Sequence, residues 1–243
     1  MVKLNEEGVM AYEDDTINSK NLLAKFAHLT RGKVALSYVH LHSESKVLDF
    51  GCGDGDFLSN LSSDSGSSKL VGFEPYMEAK KEASALNIYR NWDEITAYCD
   101  MNGLFDTVIC FEVMEHFSAE RQIEAIDKIL KVLKADGNFI ISVPIEKGLP
   151  VIPKNLRRIA LHYKGNEEIY TLKNIACSLF GIKNQSLDRL RKGEDFLSHM
   201  GFYFEDLEDL LRKNFTISER SYSPFPKLPY FFNSQVFYQL KPL

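Results

Sequence analysis

Cysteine is scarce in this 243-residue chain, and its four residues, Cys52, Cys99, Cys110 and Cys177, form no CxxC pair. That spacing excludes a zinc-ribbon site or a disulfide framework and leaves reduced thiols in a cytosol as the expectation. Excess positive charge is lacking too. The 29 Lys and Arg stand against 34 Asp and Glu, a net charge of −5, so no global field exists to hold a nucleic-acid backbone. No apolar run approaches the roughly 18 residues that would span a bilayer, and the opening MVKLNEEGVMAYEDD is charged where a secretory leader would be apolar. A cytoplasmic protein is expected, with neither a nucleic acid nor a membrane as partner. What is present is an ordinary globular balance, 44% hydrophobic and 26% charged, in a chain long enough to bury a core without staples.

Apolar residues recur at helical spacing from Asn18 to His42, predicting two short helices ahead of the core. KVLDF, Lys46 to Phe50, then runs as a strand into GCGDG, Gly51 to Gly55, and a helix from Asp56 to about Leu61 that ends in the low-complexity SSDSGSS, Ser62 to Ser68. KLVGFEP is a second strand, Met77 to Leu86 a helix, Ile88 to Trp92 a third strand and FDTVICF, Phe105 to Phe111, a fourth. Ser118 is placed to cap a helix with Ile123, Ile126, Ile129, Leu130 and Leu133 on its apolar face, closed by Ala135-Asp136-Gly137 and followed by the strand NFIISVP. Strands alternating with helices predict an α/β fold, Rossmann-like and doubly wound, with a mostly parallel seven-stranded sheet. The last elements are a helix in FEDLEDLLRKNF and strands in FTISERSY and SQVFYQL.

Glycines at 51, 53 and 55 directly after an apolar strand let the backbone turn tightly and approach a ligand closely. Asp49 closes that strand, and Glu74 closes the next at a spacing where an acid accepts hydrogen bonds from ribose hydroxyls. Asp56 and Leu58 stand where a dinucleotide fingerprint needs glycine, so neither NAD nor FAD is expected, and no GxxxxGK[ST] cradles a triphosphate. The acids Asp49, Asp54 and Asp56 repel phosphates and suit a ligand carrying ammonium and sulfonium charges. S-adenosylmethionine has both.

VLDFGCGDGDFL, GFEP, FDTVICFEVMEHF and LKADGNFIISVP, in this order between Lys46 and Pro144, resemble the motifs of class I S-adenosylmethionine-dependent methyltransferases. Two departures stand out: Ala135-Asp136-Gly137 where that family often has Pro-Gly-Gly, and no acidic dipeptide after the third strand. The resemblance implies that Gly51 and Gly53 border the methionine and ribose of the cofactor and that Asp49 orders the loop or meets the ammonium through water. It further implies that Glu74 binds the ribose hydroxyls and that Phe111 and Glu112 touch the cofactor or order its pocket. By position Trp92 and Asp93 are the candidates beside the adenine, and Phe57 is either a core residue or a cofactor contact. The implied organisation is a single methyltransferase domain over 1–243: N-terminal helices in 1–45, the cofactor-binding core in 46–146, a helical basic insertion in 147–200 acting as a lid after the fifth strand, and a C-terminal helix with the last strands in 201–243.

Glu112, Glu115 and His116 are spaced i, i+3 and i+4, which groups them on one face if the turn after the fourth strand is helical. Histidine is the natural proton acceptor near neutral pH, so His116, with Glu115, is the candidate for catalysis on an acceptor hydroxyl. The leading expectation is O-methylation of a small molecule, a saccharide or sugar conjugate ahead of others. The ExxEH segment also resembles that of quinone-biosynthesis and small-RNA 2′-O-methyltransferases, where acids and histidine serve a divalent metal. Here only His162 and His199 stand apart as further ligands, in no ligand spacing, so no metal site is expected. The other alternative is a catalytically silent cofactor-binding protein. Aromatic residues, Tyr12 and Phe202 to Phe204, are candidates to close the site.

Residues 147–200 carry ten Lys or Arg against five Asp or Glu, so this segment is +5 and the rest of the chain is −10. Lys154, Arg157 and Arg158 gather at its start, Arg189, Arg191 and Lys192 near its end, an asymmetry that suits an anionic acceptor.

Overall fold

The computed structural model describes residues 33–39, 44–64, 69–76, 87–160, 171–184, 189, 191–192, 195–196 and 198–243, with the backbone alone at 62–64, 157–160 and 191–192. A helical run at 33–38 is described. The rest of the expected N-terminal helices, Tyr12, the helix expected from Met77 to Leu86 and His162 lie outside the described residues.

Two compact units divide the chain. The first, the sheet unit, comprises Leu36–Val143, Phe204–Arg220 and Phe237–Leu243; the second, the insertion unit, comprises Met1–Ala35, Pro144–Tyr203 and Ser221–Val236.

The strands are β1 (Lys46–Phe50), β2 (Lys69–Phe73), β3 (Asn87–Tyr89), β4 (Phe105–Phe111), β5 (Leu133–Pro144), β8 (Phe215–Ser223) and β9 (Gln235–Pro242), in one seven-stranded sheet of order β3-β2-β1-β4-β5-β9-β8. The pairs β3–β2, β2–β1, β1–β4 and β4–β5 are parallel, which is the expected doubly wound, Rossmann-like architecture. Between the strands lie α1 (Asp56–Asp64), α2 (Trp92–Asn102) and α3 (Ala119–Val132), with α6 (Phe204–Leu211) ahead of β8. The run Val108, Ile109 and Cys110 in β4, and Phe139 to Ile141 in β5, is buried throughout, as a central parallel sheet covered on both faces demands. Register brings Asp49 beside Gly72 on one side and Ile109 on the other. Strand order reverses between β1 and β4, and ligands of open α/β sheets bind outside the carboxyl ends at such a switch point.

Several local expectations are corrected. The third strand stops at Tyr89, and Trp92 instead opens α2: the Asn91 side chain accepts from the Asp93 N–H while Glu94 accepts from the Asn91 N–H, a capping box that outcompetes extension. Helix α1 runs on to Asp64, taking Ser62, Ser63 and Asp64 out of the expected loop. In α3 the Ser118 hydroxyl does cap the Arg121 N–H, but Ile123 faces solvent. The segment Ala135-Asp136-Gly137 belongs to β5, where the pairing slips from Phe105–Leu133 to Thr107–Asn138, so a bulge accommodates it within the strand.

In the insertion unit, α4 (Val151–Ala160) and α5 (Leu172–Leu179) pack together. The expectation of helices alone fails over RKGEDF: β6 (Arg191–Lys192) and β7 (Asp195–Phe196) pair antiparallel. Two-residue strands are too short to print an alternating pattern. Glu146, buried just past β5, accepts from Lys154 Nζ at 3.1 Å, and the same amine donates to the Ile145 carbonyl. Among the described residues no helix is long and apolar enough to cross a membrane.

Candidate functional site

The cofactor-binding and catalytic residues expected from sequence fall in the sheet unit, in or beyond the carboxyl ends of β1, β2, β3 and β4, whereas Phe202 and Tyr203, expected to close the site, belong to the insertion unit. Gly51, Gly53 and Gly55 adopt φ of 81°, 56° and 85°, a left-handed region that costs any L side chain. The loop is tied down at its start, where the Gly51 and Cys52 N–H groups both donate to the Phe73 carbonyl, and at its end, where the Gly55 N–H donates to the Cys52 carbonyl. Space decides as well as φ: a Cβ on Gly51 would lie 2.4 Å from Val113 Cγ2, and one on Gly72 would lie 2.6 Å from Cys52 Sγ. Gly72 and Val113 are therefore part of the loop's construction and were missed by the sequence reading, although a glycine inside a central strand signals close approach.

Glu74 is the hub. Its buried carboxylate accepts from the Gly53 N–H at 3.1 Å and the Tyr76 N–H at 2.8 Å, joining the glycine loop to the end of β2. Asp49 lies beneath the loop, 3% exposed. Burial first, and the Glu74 charge second, push its carboxyl from 3.8 up to about 7. Burial and the same two carboxylates push the Cys52 thiol well above its ordinary value, so it behaves as a packing residue and not as a nucleophile.

Trp92, half-buried at the start of α2, packs its ring edge-on against Phe73 and Phe50 at 5.1 and 5.6 Å between centroids, while Asp93 beside it is exposed. Phe57 of α1 meets Phe111 of β4 edge-to-face at 5.2 Å, and both rings are half-buried.

Past β4 the chain makes an abrupt change. Glu112 takes φ of 57° with its N–H donating to the Ser142 carbonyl; a non-glycine residue held there is a strained backbone position of the kind that gathers at functional sites. A 3-10 turn, Met114–His116, follows. Its carbonyl at Met114 is held by Gln122 Nε2 at 2.8 Å, which fixes the turn to α3. Glu115 is fully buried, His116 is half-buried, and His116 Nε2 lies 3.9 Å from Glu115 Oε1. The turn thus brings the expected pair together. Of the two further histidines weighed as metal ligands, His199 belongs to the insertion unit and His162 lies outside the described residues.

The donor set fits S-adenosylmethionine. A carboxylate offers about four acceptor sites, so Glu74 can hold two amides and also accept from a diol, while the acids of the glycine loop complement cationic ammonium and sulfonium groups.

Sheet order, glycine loop and buried acid define the class of Rossmann-like methyltransferases that use S-adenosylmethionine. The profile of the methyltransferase domain family matches residues 22–176, more than half of the chain, and the chain belongs to that family. It is 31% identical to nodulation protein S of Azorhizobium caulinodans over 100 residues, 40% of this chain and 48% of that protein. It is 32% identical to the ribosomal protein L11 methyltransferase of Thermosipho africanus over 136 residues, 53% of this chain and 48% of that protein. The chain therefore matches about half the length of each of these relatives. In fold it is similar to a protein of Pyrococcus horikoshii, with a TM-score of 0.57 at 16% identity over 93% of both chains. It is also similar to the plantazolicin methyltransferase BpumL complexed with a triazolic desmethylPZN analogue and SAH, with a TM-score of 0.54 at 16% identity over 94% of this chain and 88% of that one.

Proposed function

We propose that this methyltransferase acts on a hydroxyl oxygen of a small-molecule acceptor, a saccharide or sugar conjugate ahead of a quinone or an RNA. The observation that carries the reading is the 3-10 turn that sets half-buried His116 against the buried Glu115 carboxylate, immediately beyond β4 at the switch point of the sheet. In this reading Glu74 receives the ribose hydroxyls of the cofactor, and Gly51 and Gly53 let the backbone approach its methionine and ribose. Asp49 orders the loop from below, and Phe57, Trp92, Asp93, Phe111 and Glu112 border the adenine and the rest of the pocket. The bound cofactor supplies a methyl carbon already activated by the adjacent sulfonium.

The chain's own work is then alignment and proton removal. His116 accepts the acceptor hydroxyl proton as the oxygen attacks, and the Glu115 carboxylate stabilises the resulting imidazolium. His116→Ala is expected to lower turnover by roughly 10²–10⁴-fold with cofactor affinity nearly intact, read as S-adenosylhomocysteine release beside titration calorimetry. Unchanged turnover places the base elsewhere. Activity abolished by EDTA and restored by a divalent ion replaces this mechanism with a metal-assisted one.

An anionic acceptor, such as a phosphorylated or nucleotide-linked sugar, is the form of substrate the basic insertion suits. Of the cations clustered at its start and end, Lys154 is engaged by Glu146 and Arg189 by the Ser198 carbonyl and the faces of Phe196 and Phe202. The proposal assigns anion selection to Arg157 and Arg158, the neighbouring cations of the first cluster in the sequence.

A further inference from the structure

Ten of the sixteen large hydrophobic side chains exposed among the described residues belong to the insertion unit, the smaller of the two in described length. They are brought together by backbone contacts. The Leu149 N–H donates to the Phe231 carbonyl, the Gly148 N–H to the Ser178 carbonyl, and a Cβ on Gly148 would lie 2.5 Å from the Phe231 oxygen. Lys147 caps the Tyr230 ring at 4.2 Å. These links gather Leu149, Phe180, Ile182, Tyr230 and Phe232, all exposed, around one junction.

The loop that carries two of them is built to display them. Fully buried Asn233 accepts from the Phe225 N–H at 2.7 Å, and its amide lies within 3.1 Å of the Phe225, Leu228 and Pro229 carbonyls. The Ser234 N–H closes the loop onto the Ser223 carbonyl. With these backbone groups held by Asn233 and Ser223, the loop leaves Phe225, Leu228, Tyr230 and Phe232 exposed. Helix α4 adds Ile152 and Leu156 on its exposed side. Exposed apolar side chains in this number within one unit call for a covering partner.

Charge chooses the partner. The described stretches 147–160, 171–184 and 221–236 contain no Asp or Glu, while Lys147, Lys173, Lys183 and Lys227 sit next to or two residues from exposed apolar side chains. A second copy meeting this face with its own would oppose like charges. Apolar side chains fringed by lysines, with no acid among them, complement instead the interface of an anionic bilayer, where acyl chains take the former and headgroups the latter.

We propose that this face of the insertion unit is a peripheral membrane-docking surface for anionic phospholipid. The test is flotation of the full chain with vesicles of phosphatidylcholine and phosphatidylglycerol at 7:3, against pure phosphatidylcholine. Binding to the anionic vesicles alone, weakened as salt rises, is expected. Each lysine neutralised near such a surface costs roughly fivefold in partitioning, so Lys173→Gln, Lys183→Gln and Lys227→Gln together should weaken it on the order of 100-fold. All three side chains are exposed, and an unchanged melting temperature verifies folding; if the triple variant does not fold, the single Lys227→Gln and the wild-type salt series carry the test. Phe232→Ser should weaken binding at every salt concentration. No flotation with anionic vesicles at low salt, equal flotation with neutral ones, or a dimer in solution that loses stability with Phe232→Ser overturns the proposal.

Discussion

Glu74 does two jobs through one carboxylate, and this makes its replacement informative. It holds the Gly53 and Tyr76 amides, so it shapes the loop as well as offering acceptors to a diol. Glu74→Ala is expected to cost about 1.5–3 kcal/mol of cofactor binding, the scale of hydrogen bonds to a charged group; unchanged affinity in titration calorimetry would remove it from the site. Asp49 beside it gives a pH signature. Its carboxyl titrates near 7 in the folded chain and near 3.8 when unfolded, so between these values the folded state holds a proton that the unfolded state has released. Stability is fully present below the lower value, falls as pH rises through the window, and is level above about 7. Asp49→Asn should flatten that decline, and between pH 4 and pH 8 its melting temperature should drop less than that of the wild type. A parallel pair of melting curves against pH would contradict the buried-acid account.

At the scale of elements, the glycine loop depends on β1, β2 and the β4 turn at once. Gly51→Ala should cost about 1–2 kcal/mol for the left-handed backbone and about 1–3 kcal/mol more for the collision with Val113. Only the second part can be relieved, so Gly51→Ala with Val113→Ala should be less destabilised in urea than the two single effects summed; strict additivity would mean that Val113 does not confine the loop. Long apolar runs such as Phe105–Phe111, and the cap at Ser118, were legible in the sequence because burial and capping act on adjacent residues. Helix α2 was not, because only Ile95, Tyr98 and Cys99 are buried in it and the helical stripe is faint. Its signal was the Asn91–Glu94 box, overlooked beside the apolar Ile88–Tyr89. The same limit applies to the site. Asp49, the glycines and Glu74 could be placed by spacing alone, whereas the Val113 contact and the left-handed Glu112 arise from the meeting of strands distant in sequence.

Over the whole molecule the decisive property is the separation of charge, +5 in residues 147–200 against −10 elsewhere. Two consequences are assigned to different residues and can be measured apart. Arg157 and Arg158 are assigned to the acceptor, and Lys173, Lys183 and Lys227 to the lipid surface. Replacing Arg157 and Arg158 with alanine should raise the Michaelis constant for an anionic acceptor while cofactor affinity stays the same. The effect should grow as ionic strength falls, because attraction between charges more than about 10 Å apart is largely screened at 0.1 M salt. With a soluble acceptor the three lysine variants should leave that constant unchanged, since their contribution is to surface attachment. A neutral acceptor, or an Arg157→Ala, Arg158→Ala enzyme with wild-type kinetics at low ionic strength, would withdraw these arginines from substrate selection while leaving the lysines and the outward-facing loop at Tyr230 to account for the basic character of the unit.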